Sequence, residues 1–173
     1  MKSKMVLFVA GLFLIGMGSA NAQMGDQTSI GPRIGVNFAN VSNVDGSKAL
    51  TGLTLGLTST YSISESTGLT VDLLYSGEGF ELDGNDHHLN YLQIPILFDL
   101  FFGELGDKFR PKVYAGVTPG FLLSAKVNNN KVDDFYNGFN LGVTGGLGFN
   151  YRMSSRIWLN TDLRASLGLS DIR

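Results

Sequence analysis

The two histidines of the chain, His87 and His88, are adjacent and stand close to Asp83 and Asp86. Histidine and aspartate side chains are common metal ligands. Neighbouring residues of an extended chain, however, point to opposite faces, so the two imidazoles are poorly placed to bind one ion. We therefore interpret His87 and His88 as residues of a solvated external loop, and we expect no metal site.

Ser76 and Ser124 are the serines that a lipid-modifying hydrolase on a barrel wall could use as a nucleophile. Nothing in the sequence selects either serine, because a catalytic triad is recognised by its geometry. The glycine-rich stretch 142–148 has the composition of a phosphate-binding loop, but no helix-forming segment follows it. We expect no catalytic residue, no cofactor and no enzymatic activity.

The composition excludes several classes of protein. The 173 residues carry a formal net charge of -2, and no run of Lys or Arg is present, which argues against nucleic-acid binding. The absence of cysteine excludes disulfides, thiolate catalysis and thiolate metal sites. Charged residues make up 16% of the chain and hydrophobic residues 43%, a balance that argues against disorder. The length favours a single domain.

The N-terminus has the pattern of a secretory signal peptide. Lys2 and Lys4 precede an apolar run that extends to Met17, and small residues follow at Ala20 and Ala22. The run is shorter than the ~20 residues that a membrane-spanning helix needs. We predict that residues 1–22 are removed by cleavage, which leaves an exported domain over residues 23–173.

The remainder of the chain alternates between apolar and small polar residues with period two. Between Gly52 and Ile63, for example, Leu53, Leu55 and Leu57 share one phase, while glycine, threonine and serine occupy the other. This pattern predicts seven β-strands. They are Ile30–Phe38, Gly52–Ile63, Leu69–Glu78, Asn90–Phe102, Lys112–Lys126, Phe139–Tyr151 and Ile157–Leu169.

The length and face chemistry of these strands favour a membrane barrel. They are longer than the ~5–6 residues typical of soluble strands, and long enough to cross a bilayer when tilted. The structural alternative is a soluble lipocalin-like carrier, in which the residues that face water would include Lys and Glu. Gly, Thr, Ser and Asn instead suit a narrow lumen, with the apolar phase facing lipid. Because open sheet edges are not tolerated in hydrocarbon, we predict a closed, antiparallel up-and-down transmembrane β-barrel.

Charged residues of both signs fall on the inward phase. Because a barrel of about eight strands is only just wide enough for side chains, we expect these charges to pair and fill the lumen. The alternative is a hydrated pore lined by charge. The predicted lumen charge network consists of Arg33, Asp72, Glu78, Asp99, Lys126, Asp162 and Arg164.

The connections between predicted strands alternate long and short. Outer-membrane barrels have short periplasmic turns and longer external loops, so this alternation places Gln23 in the periplasm. Aromatic residues lie near both ends of the strands, as in an interfacial girdle. Those near the external end are Phe38, Tyr75, Phe121 and Phe139, and those near the periplasmic end are Tyr61, Phe98, Phe102, Phe149, Tyr151 and Trp158.

The segments 30–40, 73–76, 91–95 and 120–126 resemble the PorT-type outer-membrane β-barrel domain, and the resemblance covers essentially the whole mature chain. It implies an OmpA-like barrel of eight strands in the outer membrane of a Gram-negative bacterium. It also implies periplasmic chaperones and barrel-assembly machinery as partners during insertion. Only the namesake of the family is tied to secretion and gliding, so the resemblance implies no activity.

The end of the sequence departs from this pattern. Members of the family usually finish with a further strand that ends in an aromatic residue, whereas this sequence stops at Arg173, soon after the seventh strand. Since single-chain bacterial barrels have even strand numbers, we expect the eighth, C-terminal strand to be missing from a truncated sequence. The alternative is a barrel with two unpaired edges across a gap.

Three functions are compatible with this sequence. We favour a non-enzymatic barrel that has a structural or surface-interaction role through its external loops. The alternatives are a narrow transport or secretion-associated component and a lipid-modifying enzyme. Outer-membrane lipid is the expected surrounding, and no protein partner is identified by the sequence.

Overall fold

The computed structural model describes residues 4–11, 15–16, 27–42, 48–82, 85–104, 107–127, 130–131, 138–154 and 157–169. Side chains are described for residues 27–39, 50–79, 89–104, 107–125, 138–154 and 157–169. In these parts of the chain the regular elements are strands. No helix long and apolar enough to span a bilayer occurs among the described residues.

The strands form one antiparallel meander. In chain order they are β1 (Lys4–Gly11), β2 (Ile15–Gly16), β3 (Thr28–Ser42), β4 (Lys48–Ser62), β5 (Thr67–Leu82), β6 (Asn85–Gln93), β7 (Ile96–Phe101), β8 (Phe109–Val127), β9 (Asn130–Lys131), β10 (Phe139–Arg152) and β11 (Trp158–Gly168).

From β3 to β11 the wall follows chain order: β3 pairs with β4, β4 with β5, β5 with both β6 and β7, these two with β8, β8 with β10, and β10 with β11. β6 and β7 together form one strand of the wall, and both lie between β5 and β8. They are separated at Ile94 and Pro95, where proline cannot donate to the ladder. Hydrogen bonds from Asp72 N to Pro95 O (3.0 Å) and from Ile94 N to Pro119 O (2.9 Å) hold the wall together there.

The seven predicted strands are confirmed, but several are longer than predicted. β3, β4 and β5 continue into the segments predicted as loops at 39–51 and 79–89. His87 and His88, placed in a loop by the sequence analysis, lie in β6 opposite Phe80 and Gly79. The prediction was wrong here because backbone pairing continues beyond the point where apolar alternation stops. The side chains of both histidines lie outside the described residues.

An eighth wall strand closes the ring, and it lies within residues 1–22, which were predicted to be a signal peptide and not a strand. β1 lies between β3 and β11 and is antiparallel to both. Val6–Gly11 lies opposite residues 162–167, and Lys4–Phe8 lies opposite residues 38–42. Its pairing satisfies the backbone groups of two edges that would otherwise be open. Signal cleavage and a domain confined to residues 23–173 remain predictions.

The two faces of the wall have the predicted chemistry. In β4 the side chains of Leu53 and Leu55 are 62% and 54% exposed, whereas that of Thr54 between them is 5% exposed. The same alternation continues in β10 and β11, where Leu147 and Leu163 point outward. The prediction of a lumen of small residues was incomplete, since several large side chains also point inward. They are Leu74, Leu89, Tyr91, Leu97, Phe101 and Tyr114.

The two ends of the barrel differ. The connections 63–66, 102–108 and 153–157 define what we call the tight-turn end. The connections at the opposite end are 43–47, 83–84 and the segment between β8 and β10. The predicted long loop between β5 and β6 is therefore shorter than expected, because both strands extend into it.

Candidate functional site: the lumen

Six charged side chains meet in the middle of the lumen, three of each sign. Five strands supply them, because the inward phases of β3, β5, β7, β8 and β11 reach the same level of the barrel. All six are buried. We call this group the six-charge network; its members are Arg33, Lys112, Arg164, Asp72, Asp99 and Asp162.

Asp72 lies at the centre of one half of the six-charge network. Its Oδ2 accepts hydrogen bonds from Arg33 Nη1 and Arg164 Nη2, both at 3.1 Å. The hydroxyl of Thr58 donates to Oδ1 at 2.6 Å. Arg33 also forms an ion pair with Asp162 through Nη2. Asp72 therefore bridges two arginines, one on β3 and one on β11. These two strands flank β1.

Lys112 connects the other half of the network. Its Nζ lies 3.2 Å from Asp162 Oδ1 and 3.7 Å from Asp99 Oδ1. Thr70 donates its hydroxyl hydrogen to Asp99 Oδ2 at 2.5 Å. The hydroxyl oxygens of Thr60 and Thr70 lie 2.7 Å apart. Each member of the six-charge network therefore has an opposite charge beside it, which offsets the cost of taking these charges out of water.

The ring of Tyr114 fills space beside these charges. Its centroid lies 5.3 Å from Lys112 Nζ and 5.5 Å from the guanidinium carbon of Arg164. The phenol donates to the carbonyl oxygen of Leu163 at 3.3 Å. Opposite the ring, a side chain at Gly146 would overlap the phenolic oxygen. Glycine is thus required where the aromatic ring approaches the wall.

A second polar group lies farther along the strands, away from the tight-turn end. Gln93 Nε2 and Ser76 Oγ donate to Glu78 Oε1 at 2.5 and 3.2 Å. Asn37 Nδ2 donates to Ser76 Oγ at 2.9 Å and to Thr54 Oγ1 at 3.1 Å. We call these five residues the Glu78 cluster.

Between the two groups the lumen is filled by a row of hydroxyl groups. The hydroxyl oxygens of Thr118 and Thr144 lie 2.6 Å apart, and those of Thr144 and Ser166 lie 2.7 Å apart. A cavity of about 10 Å³ beside Thr118 and Ser166 has room for roughly one water molecule. Side chains and small voids, rather than an open channel, therefore occupy the described part of this level.

The structure brings together five of the seven residues predicted for the lumen charge network: Arg33, Asp72, Asp99, Asp162 and Arg164. Glu78 points inward but belongs to the other cluster, and the side chain of Lys126 lies outside the described residues. Lys112 was not among the residues predicted for this network. Lys112 lies on the same phase of β8 as Tyr114 and Thr118, which both point inward. This shared phase is the signal that identifies it.

Basic side chains stack on aromatic rings toward the tight-turn end. The guanidinium carbon of Arg110 lies 4.6 Å from the centroid of Phe101, and Arg110 donates to the carbonyl oxygen of Glu65. Arg152 stacks in the same way on Trp158, at 5.9 Å. Arg110 and Phe101 are both buried inside the barrel, whereas Arg152 and Trp158 are each partly exposed. In both pairs the cation is attracted to the face of the ring.

An antiparallel ring of eight wall strands, an apolar outer face and a polar, filled interior together define a membrane β-barrel. The family model described as outer membrane protein beta-barrel domain matches residues 21–173. The chain belongs to this family. No curated protein matches the chain.

Proposed function

We propose that the protein is a non-enzymatic barrel of the outer membrane with a structural or surface-interaction role. Its contacts are made by the connections opposite the tight-turn end, and its partners there are other surface molecules. The proposed setting is the outer membrane of a Gram-negative bacterium, reached through a cleaved signal peptide and barrel-assembly machinery. Cleavage after Ala22 would remove β1, so another strand would then have to pair with β3 and β11 to close the ring. A PorT-type domain is the finer family assignment that we propose.

The six-charge network is the observation that carries this proposal. Three cations and three carboxylates neutralise one another across the lumen. Permeation would have to separate these buried pairs, and separating them leaves charges without partners in a poorly hydrated space. A filled lumen supports a role for the outer surface rather than for a pore.

The environment of Ser76 supports the non-enzymatic part of the proposal. Ser76 is buried within the lumen, and its hydroxyl hydrogen-bonds with Asn37 and Glu78. A nucleophile that modifies lipid must be reached by lipid, which surrounds the outer face of the wall. Ser124 accepts a hydrogen bond from Asn90 at 3.2 Å.

We expect the purified protein to insert into planar lipid bilayers without forming ion-conducting channels, because the six-charge network fills the lumen. Single-channel recording measures this directly. Reproducible conductance steps from the wild-type protein would contradict a filled lumen and would favour the transport function.

The surface role can be tested with epitope-bearing variants of the protein in cells. An epitope inserted after Asn129 should be bound by antibody on intact cells, whereas one inserted after Gly103 at the tight-turn end should be bound only after permeabilisation. The reverse labelling would contradict the proposed orientation. Labelling of either variant also shows that the protein reaches the membrane in cells.

A further inference from the structure

The lysine and arginine side chains that the structure describes fall into two groups. The members of the first group are buried inside the barrel: Arg33, Arg110, Lys112 and Arg164. The second group consists of Lys108, which is exposed, and Arg152, which is half-buried. Both lie at the tight-turn end, where a group outside the barrel can reach them.

Lys108 and Arg152 lie opposite each other at the facing ends of β8 and β10. The backbone N–H of Arg152 donates to the carbonyl oxygen of Lys108 at 2.8 Å. Each cation lies beside an aromatic ring. Lys108 Nζ is 5.5 Å from the centroid of Tyr151, and the guanidinium carbon of Arg152 is 5.9 Å from that of Trp158. A ring leaves the positive charge in place, so both cations remain able to pair with an anion.

The described carboxylates nearest to these cations in the chain belong to the turn before β8. Asp107 Oδ2 accepts a hydrogen bond from the backbone N–H of Glu104 at 2.8 Å, so this carboxylate is used within its own turn. The ion pairs between described side chains all belong to the six-charge network. No described carboxylate therefore forms an ion pair with Lys108 or Arg152.

The outer face of β8 and β10 changes from aromatic to aliphatic with distance from the two cations. Phe109 lies opposite Tyr151, and its ring centroid is 5.2 Å from that of Phe149. Farther along the same strands Val113 lies opposite Leu147, and their side chains are 39% and 58% exposed. Cations, aromatic rings and aliphatic side chains thus follow one another in the order of the headgroup, interface and acyl chains of a phospholipid.

We propose that Lys108 and Arg152 bind the headgroup of an anionic phospholipid, whose acyl chains lie along the outer face of β8 and β10. A Lys or Arg side chain near the membrane surface favours anionic over neutral lipid by about fivefold. A zwitterionic headgroup carries an ammonium group of its own, which the two cations repel. The proposal depends on the membrane barrel and not on the role of the connections at its opposite end.

The test uses a single fluorescent label, which the absence of other cysteines allows. Leu147→Cys places the label on β10, beside the proposed site. Leu57→Cys is the matched position, because Leu57 and Leu147 both point outward and each lies five residues before the tight-turn end of its strand. β4 and β10 lie on opposite sides of the ring of eight wall strands.

The labelled proteins are inserted into vesicles of phosphatidylglycerol and phosphatidylcholine, and one lipid at a time carries brominated acyl chains that quench the label. At position 147 we expect phosphatidylglycerol to be preferred by about fivefold, and at position 57 we expect equal quenching by both lipids. The double variant Lys108→Gln with Arg152→Gln should lower the preference at position 147 to the level at position 57. Lys131→Gln, which removes a cation from β9 at the opposite end, should leave it unchanged.

The labelled protein with both cations in place can overturn the proposal by itself. Equal quenching by the two lipids at position 147 would do so, and so would the same preference for phosphatidylglycerol at positions 57 and 147. Heat-modified migration on gels reports whether the variants are folded. A preference that persists in the folded double variant, or that is lost equally in Lys131→Gln, would also contradict the proposed site.

Discussion

Replacing Asp72 by asparagine is expected to lower the free energy of unfolding by about 3–5 kcal/mol, the cost of removing one partner from a buried ion pair. The change keeps the shape of the side chain but leaves Arg33 and Arg164 with one carboxylate fewer between them. Urea unfolding in lipid vesicles, followed through the fluorescence of the single tryptophan, Trp158, measures the effect.

Two comparisons separate lost charge balance from a general effect of the substitution. Asp107→Asn makes the same chemical change at an exposed turn, and we expect it to cost less than about 1 kcal/mol. The double variant Asp72→Asn with Arg164→Met restores equal numbers of both charges, so it should be more stable than Asp72→Asn alone. A double variant whose losses simply add would contradict the balanced network.

Leu55→Arg is the second large expected effect, a loss of about 2–4 kcal/mol when the side chain lies near the bilayer midplane. Leu55 points outward from β4 and lies opposite Ile34 and Tyr75 of the neighbouring strands. The arginine would place a charge in hydrocarbon, where neither water nor a counter-ion is available. The same unfolding assay in vesicles measures the loss.

Met153→Arg is the control for position. Met153 is 59% exposed, close to the value for Leu55, but it lies in the tight turn after β10. An arginine there reaches the polar interface and should cost about 0–1 kcal/mol. Equal losses at both positions would show that depth in a membrane does not decide the effect.

The wall of the barrel was predictable because alternation alone determines which face a strand residue occupies. Leu53, Thr54 and Leu55 illustrate this, since each points as the pattern predicts. The ends of β5 and β6 were not predictable in this way, because polar residues such as His87 and His88 interrupt the apolar phase. The position of β1 was also beyond the pattern, since a uniformly apolar run has no phase from which a strand can be recognised.

Which lumen residues contact one another depends on their height along the barrel axis. The alternation of apolar and polar residues predicts the face of a residue but not its height. Asp72 and Glu78 share the inward face of β5, but six residues at ~3.3 Å each separate them by about 20 Å. Height is set by register, such as the pairing of Thr58 with Asp72 across β4 and β5. The inward orientation of Glu78 was therefore predictable from the sequence, but its distance from the arginines was not.

The central claim is that the leucine-rich face contacts lipid, and adjacent cysteines test it most directly. The chain contains no cysteine, so Leu55→Cys and Thr54→Cys can each carry a single fluorescent label. In vesicles whose acyl chains bear a quencher, we expect strong quenching of the label at position 55 and weak quenching at position 54. Equal quenching at both positions, or stronger quenching at position 54, would contradict the claim.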